Sequence, residues 1–296
     1  MSIRKLSFER LFVLLLFTTV AIPIPIASAA EDSASLTELA GRTHFHGIAV
    51  DAKDPTRLYL ATHHGFYLVT PDGTARLISD NQNDYMGFTP HPADPDTFFA
   101  SGHPATGGNT GFIISEDGGR TWRQRTQGVN GPVDFHQMDV SRSDPKVIYG
   151  VYGGLQVSRD GGHSWEMRAA APAALFDLAV SSTDADRLYA ATRGGLLVSE
   201  DGGESWQPAH FNTSPATMVQ TTARNSVYAF VAGLGLLRGA EGSLRWESVS
   251  NSFGERYLLH LAADPTDPDT LYVVTSESEV LESHDDGATW RAVGGK

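Results

Sequence analysis

The chain has 296 residues and a formal charge of −13; 41% of it is hydrophobic, 19% is charged, and it contains no cysteine. That length buries a large core in one or two domains, and an acidic chain without a basic stripe excludes nucleic acid and acidic membrane surfaces as partners. The lack of cysteine excludes disulfides, thiolate chemistry and a lipoprotein anchor.

Taken in chain order, the first stretch reads as a secretory signal. Arg4, Lys5 and Arg10 precede an apolar run from Leu11 to Ile26, and Ala27-Ser28-Ala29 places small residues where a signal peptidase reads. Cleavage after Ala29 is expected, making 1–29 the signal peptide and 30–296 a single exported domain, periplasmic or extracellular. Pro23 and Pro25 interrupt the run, and no second long apolar run follows, so no membrane anchor is expected after cleavage.

From residue 44 onward the chain repeats. Six stretches read as strand, turn, strand: 47–62, 87–101, 138–152, 178–192, 217–230 and 261–275. Their Asp-Pro and Asp-Ala pieces are turn signals, and the apolar runs on either side read as buried strands. The stretches SEDGGRTW (115–122), SRDGGHSW (158–165), SEDGGESW (199–206) and SHDDGATW (283–290) match one another, with starts 43, 41 and 84 residues apart. Degenerate copies occur at 240–246 and 70–77, and all five tryptophans, including Trp246, fall at one repeat position. A period near 42 with several short strands per unit predicts an all-β, six-bladed β-propeller, with blades starting near 44, 84, 134, 174, 215 and 257. The segment 35–39 reads as an outer strand that pairs near 289–293 and closes the ring.

The repeated box resembles the Asp-box (BNR) repeat, Ser-x-Asp-x-Gly-x-Thr-Trp. The resemblance implies a hairpin between the third and fourth strands of each blade. Asp117, Asp160, Asp201 and Asp285 are expected to hold turn amides rather than calcium or a substrate, and Trp122, Trp165, Trp206 and Trp290 to pack the hairpins down.

Histidines concentrate elsewhere. Strands alternate in direction, so the start of the first strand and the end of the second share a face opposite the boxes. Aligning blades on their first turn puts His46 in a column with Met86, His136, Phe176, Pro215 and Leu259. His44 falls in a row with Asp84 and Asp134, and His63 aligns with His103. Residues two apart on a strand point the same way, so His44 and His46 are expected to converge. His44, His46, His63, His64, Met86, His103 and His136 are therefore the candidate metal ligands, with Asp84 and Asp134 as candidate carboxylates. Imidazole with thioether and no thiolate favours copper, and three histidines with a carboxylate would suit zinc as second choice. His91, His163, His210, His260 and His284 read as surface or packing residues.

Two other readings stand beside the metal. Asp-box propellers include sialidases, which need an arginine triad, a Tyr–Glu pair and an acid. The Arg-Ile-Pro motif is missing from residues 30–296, arginines on the histidine face are few (Arg42, Arg193, Arg256), and the spacing of Glu255 and Tyr257 carries no information. A sialidase is not expected; another glycosyl hydrolase-like or glycan-binding propeller using Asp84 and Asp134 is the alternative. Other members of the resemblance, sortilin-type receptors and photosystem II assembly factors, hold protein partners. The polar, glycine-rich segment 102–111 is the candidate lid or partner contact for such an assembly scaffold.

Overall fold

A computed structural model describes residues 33–295; the expected signal peptide lies outside them. Twenty-five strands form six antiparallel sheets in a six-bladed β-propeller. Blade 1 contains β1 (Ser33–Ser35), the helix α1 (Leu36–Ala40), β2 (Phe45–Val50), β3 (Leu58–Thr62), β4 (Gly65–Val69) and β5 (Thr74–Leu77). Blade 2 contains β6 (Asp84–Pro90), β7 (Phe98–His103), β8 (Phe112–Ser115) and β9 (Arg123–Thr126). Blade 3 contains β10 (Gln137–Val140), β11 (Ile148–Val151), β12 (Leu155–Ser158) and β13 (Glu166–Ala169). Blade 4 contains β14 (Leu175–Val180), β15 (Leu188–Thr192), β16 (Gly195–Ser199) and β17 (Gln207–Pro208). Blade 5 contains β18 (Ala216–Thr221), β19 (Ser226–Val231), β20 (Gly235–Ala240) and β21 (Trp246–Ser250). Blade 6 contains β22 (Leu258–Ala263), β23 (Leu271–Thr275), β24 (Val280–Ser283) and β25 (Arg291–Ala292). The first strands β2, β6, β10, β14, β18 and β22 pack against one another in that order, and β22 returns to β2. They enclose the central channel, a cavity of about 170 Å³. Among the described residues, no helix is long and apolar enough to cross a membrane.

The core is divided among the blade interfaces. Leu60, Ile48 and Phe45 of blade 1 cluster with Tyr272, Val274 and Val280 of blade 6, and comparable clusters fill the other five interfaces. This is why strands such as Leu58–Thr62 and Leu188–Thr192 are buried along their whole length: they have a neighbour on each side.

The ring closes differently from the expectation at 35–39. Ser33–Ser35 pairs with Thr74–Leu77 at the outer edge of blade 1, and the C-terminal strand pairs within blade 6. Residues 36–40 are helical because Ser35 and Glu38 form a capping box, with Ser35 Oγ accepting from the Glu38 amide and Glu38 reaching back to the Ser35 amide. Leu36 and Leu39, spaced for one helix face, pack into the blade 1–blade 6 cluster. Among the described residues, apolar packing joins the last blade to the first, with no exchanged strand.

The four full boxes are turns held by their own aspartates. Asp201 accepts from the Ser205 amide (2.9 Å), the Ser205 hydroxyl (2.5 Å) and the Ser199 hydroxyl (2.8 Å). The Ser205 hydroxyl, then its amide, hold the carboxyl down to about 2, and Thr289 does the same for Asp285. Asp117 and Asp160 make the same bonds. Trp122, Trp206 and Trp290 donate their indole N–H to the carbonyl of the glycine at the fifth box position, Gly119, Gly203 and Gly287. Trp165 does not, and the corresponding Gly162 carbonyl accepts from Thr126 of the preceding blade instead. A backbone bond from each box to the first turn of its own blade places the boxes at the end of the sheets away from the histidines.

The second box glycine also docks onto the preceding blade. A Cβ on Gly162 (φ +85°) would lie 2.1 Å from Phe112, and one on Gly119 would lie 2.3 Å from Phe66. Gly162→Ala should therefore lose about 2–4 kcal/mol of unfolding free energy, combining overpacking with a left-handed backbone. Gly107→Ala, with a similar φ of +87° and nothing within 4 Å, should lose about 1 kcal/mol. Denaturant unfolding of both variants checks this; equal losses would mean that the inter-blade contact contributes nothing.

Candidate metal centre at the channel mouth

The ladder pairings at the channel mouth define structurally equivalent positions. The amides of His63, Arg193, Ala232 and Ser276 donate to the carbonyls of His44, Ala174, Pro215 and Tyr257, and Asp84 lies opposite His103. His44 thus shares a row with Asp84, as the sequence alignment expected. The column two residues on needs one correction. Bulges in β2, β14, β18 and β22 leave His46, Phe176, Thr217 and Leu259 without ladder partners, so the blade 5 member is Thr217 and not Pro215.

The same bulge interrupts the alternation from which His44 and His46 are expected to converge, and His44 is not among the ligand groups brought together below. Alternation of side chains requires an unbroken strand, and β2 begins at Phe45 and bulges at His46. His44 is exposed, and His64 turns aside to Thr43, with Nδ1 3.1 Å from Oγ1. In β6 the irregularity comes later. Met86 pairs with Ser101 and is buried, with the ladder breaking between it and Thr89.

Two triads remain, one at each of the first two blade interfaces. In the first, His46 Nε2 lies 2.7 Å from His63 Nδ1 and 3.7 Å from Asp84 Oδ1, and His63 Nδ1 lies 3.2 Å from Asp84 Oδ2. The Thr62–Gly65 turn fixes His63. Thr62 Oγ1 donates to the Gly65 carbonyl, Gly65 has φ +117°, and its amide donates to Asn83, the residue before Asp84. In the second, Asp134 Oδ2 lies 2.7 Å from His136 Nε2 and 3.1 Å from His103 Nε2. His103 Nδ1 donates to the Gly108 carbonyl at 2.8 Å, which ties segment 102–111 to the site. Both carboxylates are buried while His63, His103 and His136 are about half exposed, so the acids form the floor and the imidazoles the rim.

Proton counting gives these contacts their meaning. A carbonyl only accepts, so the proton of a neutral His103 sits on Nδ1 and its Nε2 lone pair faces a carboxylate oxygen. His46 Nε2 and His63 Nδ1 lie at hydrogen-bonding distance, so a proton on one of them faces the lone pair of the other. Asp84 Oδ1 and Asp134 Oδ1 are buried without a hydrogen bond, since the 3.7 Å approach of His46 is too long to be one. Each triad therefore sets imidazole nitrogens and a carboxylate within reach of one another, and an N–H bond from a ring's second nitrogen to a carbonyl is the usual support for a metal-ligating histidine. Each triad offers two imidazoles and one carboxylate, a set that leaves coordination positions open.

Burial, then the neighbouring His63, hold His46 down to about 3, so it stays neutral. A hydrogen bond to Asp134 raises His136 above the ordinary histidine value. Burial raises Asp84, opposed by His63 and His103.

The channel below contains polar residues that the sequence reading passed over. His260, read as packing, lines it with His46 and is pushed down to about 4 by burial while bonding the Phe45 carbonyl. Asp139 bridges the Val140 amide to that of Val180 in the next blade, and Asp177 bridges Leu178 to Val219. Burial raises them to about 6 and about 8. Their signal was polarity in strands that are otherwise apolar on both faces.

No family model matches the chain. An oligoxyloglucan-reducing end-specific xyloglucanase of Emericella nidulans is 30% identical over 146 residues, covering 40% of this chain and 17% of that protein. Among solved structures, the GH74 xyloglucanase from Xanthomonas campestris superposes with a TM-score of 0.57 at 18% identity, over 88% of this chain and 46% of that one. YCF48 bound to D1 peptide superposes with a TM-score of 0.52 at 16% identity, over 85% and 83%. The chain thus spans less than half the length of either xyloglucanase. At these identities the structural likenesses establish the propeller fold.

The imidazoles supply a direct check. In NMR titrations of the metal-free protein, the His46 ring signals should stay flat from pH 8 to below pH 5, while His136 titrates with a midpoint above 6.5. The unfolded chain protonates His46 near 6.5 and the native chain only near 3, so His46 lowers native stability as pH falls through that window. A His46 midpoint near 6.5 would show a solvated ring outside any enclosed site.

Proposed function

We propose that this is an exported Asp-box propeller that binds divalent transition-metal ions at the channel mouth, copper first and zinc second. The convergence of imidazole nitrogens on two buried carboxylates, each of which keeps one oxygen unpaired, carries the reading. Copper(II) leads because nitrogen and oxygen sites favour it over the other first-row divalent ions, and zinc(II) suits two histidines and a carboxylate. Two imidazoles and a carboxylate already give each triad a ligand set that suits copper(II), so the reading does not depend on a thioether from Met86. Export rests on the leader-like pattern of residues 1–29.

Calorimetry with copper(II), backed by metal analysis after dialysis, tests this. Wild type should bind at micromolar or tighter affinity, the double variant His46→Ala/His136→Ala should lose at least about 100-fold, as expected when a ligand leaves each site, and Met86→Leu should bind as wild type does. Wild-type binding no better than that of the double variant would end the metal reading.

A second reading rests on the xyloglucanase likenesses: a propeller that binds or hydrolyses glycans, with Asp84 and Asp134 as its acid pair. The raised Asp84 suits a general acid, whereas the engagement of both acids by histidines does not favour a freely cycling pair. Turnover of xyloglucan oligosaccharides that Asp84→Asn abolishes would establish it.

A further inference from the structure

The blade repeat duplicates one bracket at the channel mouth. At each interface, the residue that follows or ends the second strand of one blade faces the residue that opens the next. In ring order the second-strand member of each interface is His63, His103, Gly153, Arg193, Ala232 and Ser276, and the first two meet a carboxylate of the next blade, Asp84 and Asp134. The first two are the same His–Asp bracket displaced by one blade, with N–O distances of 3.2 and 3.1 Å. Each is completed by a histidine from the adjoining column, His46 from the blade before and His136 from the blade after.

We infer that the mouth holds two metal ions, one per bracket, side by side in adjacent blades. The inference rests on the metal reading above. Two observations favour two ions over one. Within each triad, the three ligand atoms lie within 4.8 Å of one another, so each set is complete. Each triad has its own buried, unpaired carboxylate oxygen, Asp84 Oδ1 in the first and Asp134 Oδ1 in the second, on side chains more than nine-tenths buried. One ion in either triad would leave the other triad's carboxylate oxygen unpaired. The triads also adjoin, because Asp84 of the first lies directly across the β6–β7 ladder from His103 of the second. Each triad carries one negative charge and would gain a net positive charge on loading a divalent ion. The two ions would therefore oppose one another, and the second would bind more weakly than the first. Three protein ligands per ion leave positions open on the exposed, histidine-rimmed side.

The test is stoichiometry by triad. The full chain is titrated with copper(II), and bound copper is counted after removal of the free ion. Wild type should hold two per chain in two steps of unequal affinity. His63→Gln and His103→Gln should each hold one, and the double variant none. Far-ultraviolet circular dichroism and a thermal melt of each variant separate loss of a ligand from loss of the fold, and a misfolded glutamine variant is replaced by asparagine at the same position. Electron paramagnetic resonance of the fully loaded wild type should show dipolar broadening that is missing from both single variants. A single copper in wild type that either variant abolishes would overturn the two-ion inference and leave the metal reading standing. Wild type that retains no copper would overturn both.

Discussion

The contact between one blade's turn glycine and the previous blade's third strand sets the geometry on which the rest depends. Gly119 sits on Phe66, Gly162 on Phe112, Gly203 on Leu155 and Gly287 on Leu236, and in each case a Cβ would lie within about 3 Å of the side chain below. The aspartate of the box shapes the turn, the glycine's positive φ lets it lie flat, and the close approach fixes the spacing between blades. Both triads span blade interfaces. His63 reaches Asp84 and His103 reaches Asp134 because neighbouring sheets are locked at that spacing from the opposite end.

Much of this was legible in the chain. Five tryptophans at one repeat position announced the repeat, six strand-turn-strand stretches gave the six blades, and the first-turn alignment set His44 in a row with Asp84 and Asp134 and aligned His63 with His103 on the same face. What the alignment could not carry was the bulge. A ladder irregularity inserts no recognisable residue: His46, Phe176, Thr217 and Leu259 share no side-chain type, and each is bulged. Period-two reasoning therefore paired His44 with His46, and the first turn of blade 5, two residues shorter than those of blades 1 and 4, placed Pro215 where Thr217 belongs. The helix at 36–40 was readable from Ser35-Leu-Thr-Glu38, but a ring that seemed to need a closing strand drew that segment into the wrong role. His260, Asp139 and Asp177 were passed over because polarity on an innermost strand acquires meaning only once the channel is known to be there.

The two acid sets answer opposite demands with the same residue type. Box aspartates accept from a hydroxyl and an amide of their own turn, are fully satisfied, and ionise readily. Asp84 and Asp134 lie in the floor of the channel mouth with one oxygen each unpaired and meet imidazoles instead of amides. A buried carboxylate left in that state costs free energy unless a cation completes it. Repetition made the first kind conspicuous in the sequence, while the second is present at two interfaces of six.

Anomalous diffraction from crystals soaked in copper(II), collected on both sides of the copper absorption edge, addresses the central claim most directly. The expected result is two peaks per chain, one bounded by His46, His63 and Asp84 and the other by His103, Asp134 and His136. Peaks confined to the exposed box face, or a mouth with no anomalous signal, would contradict it.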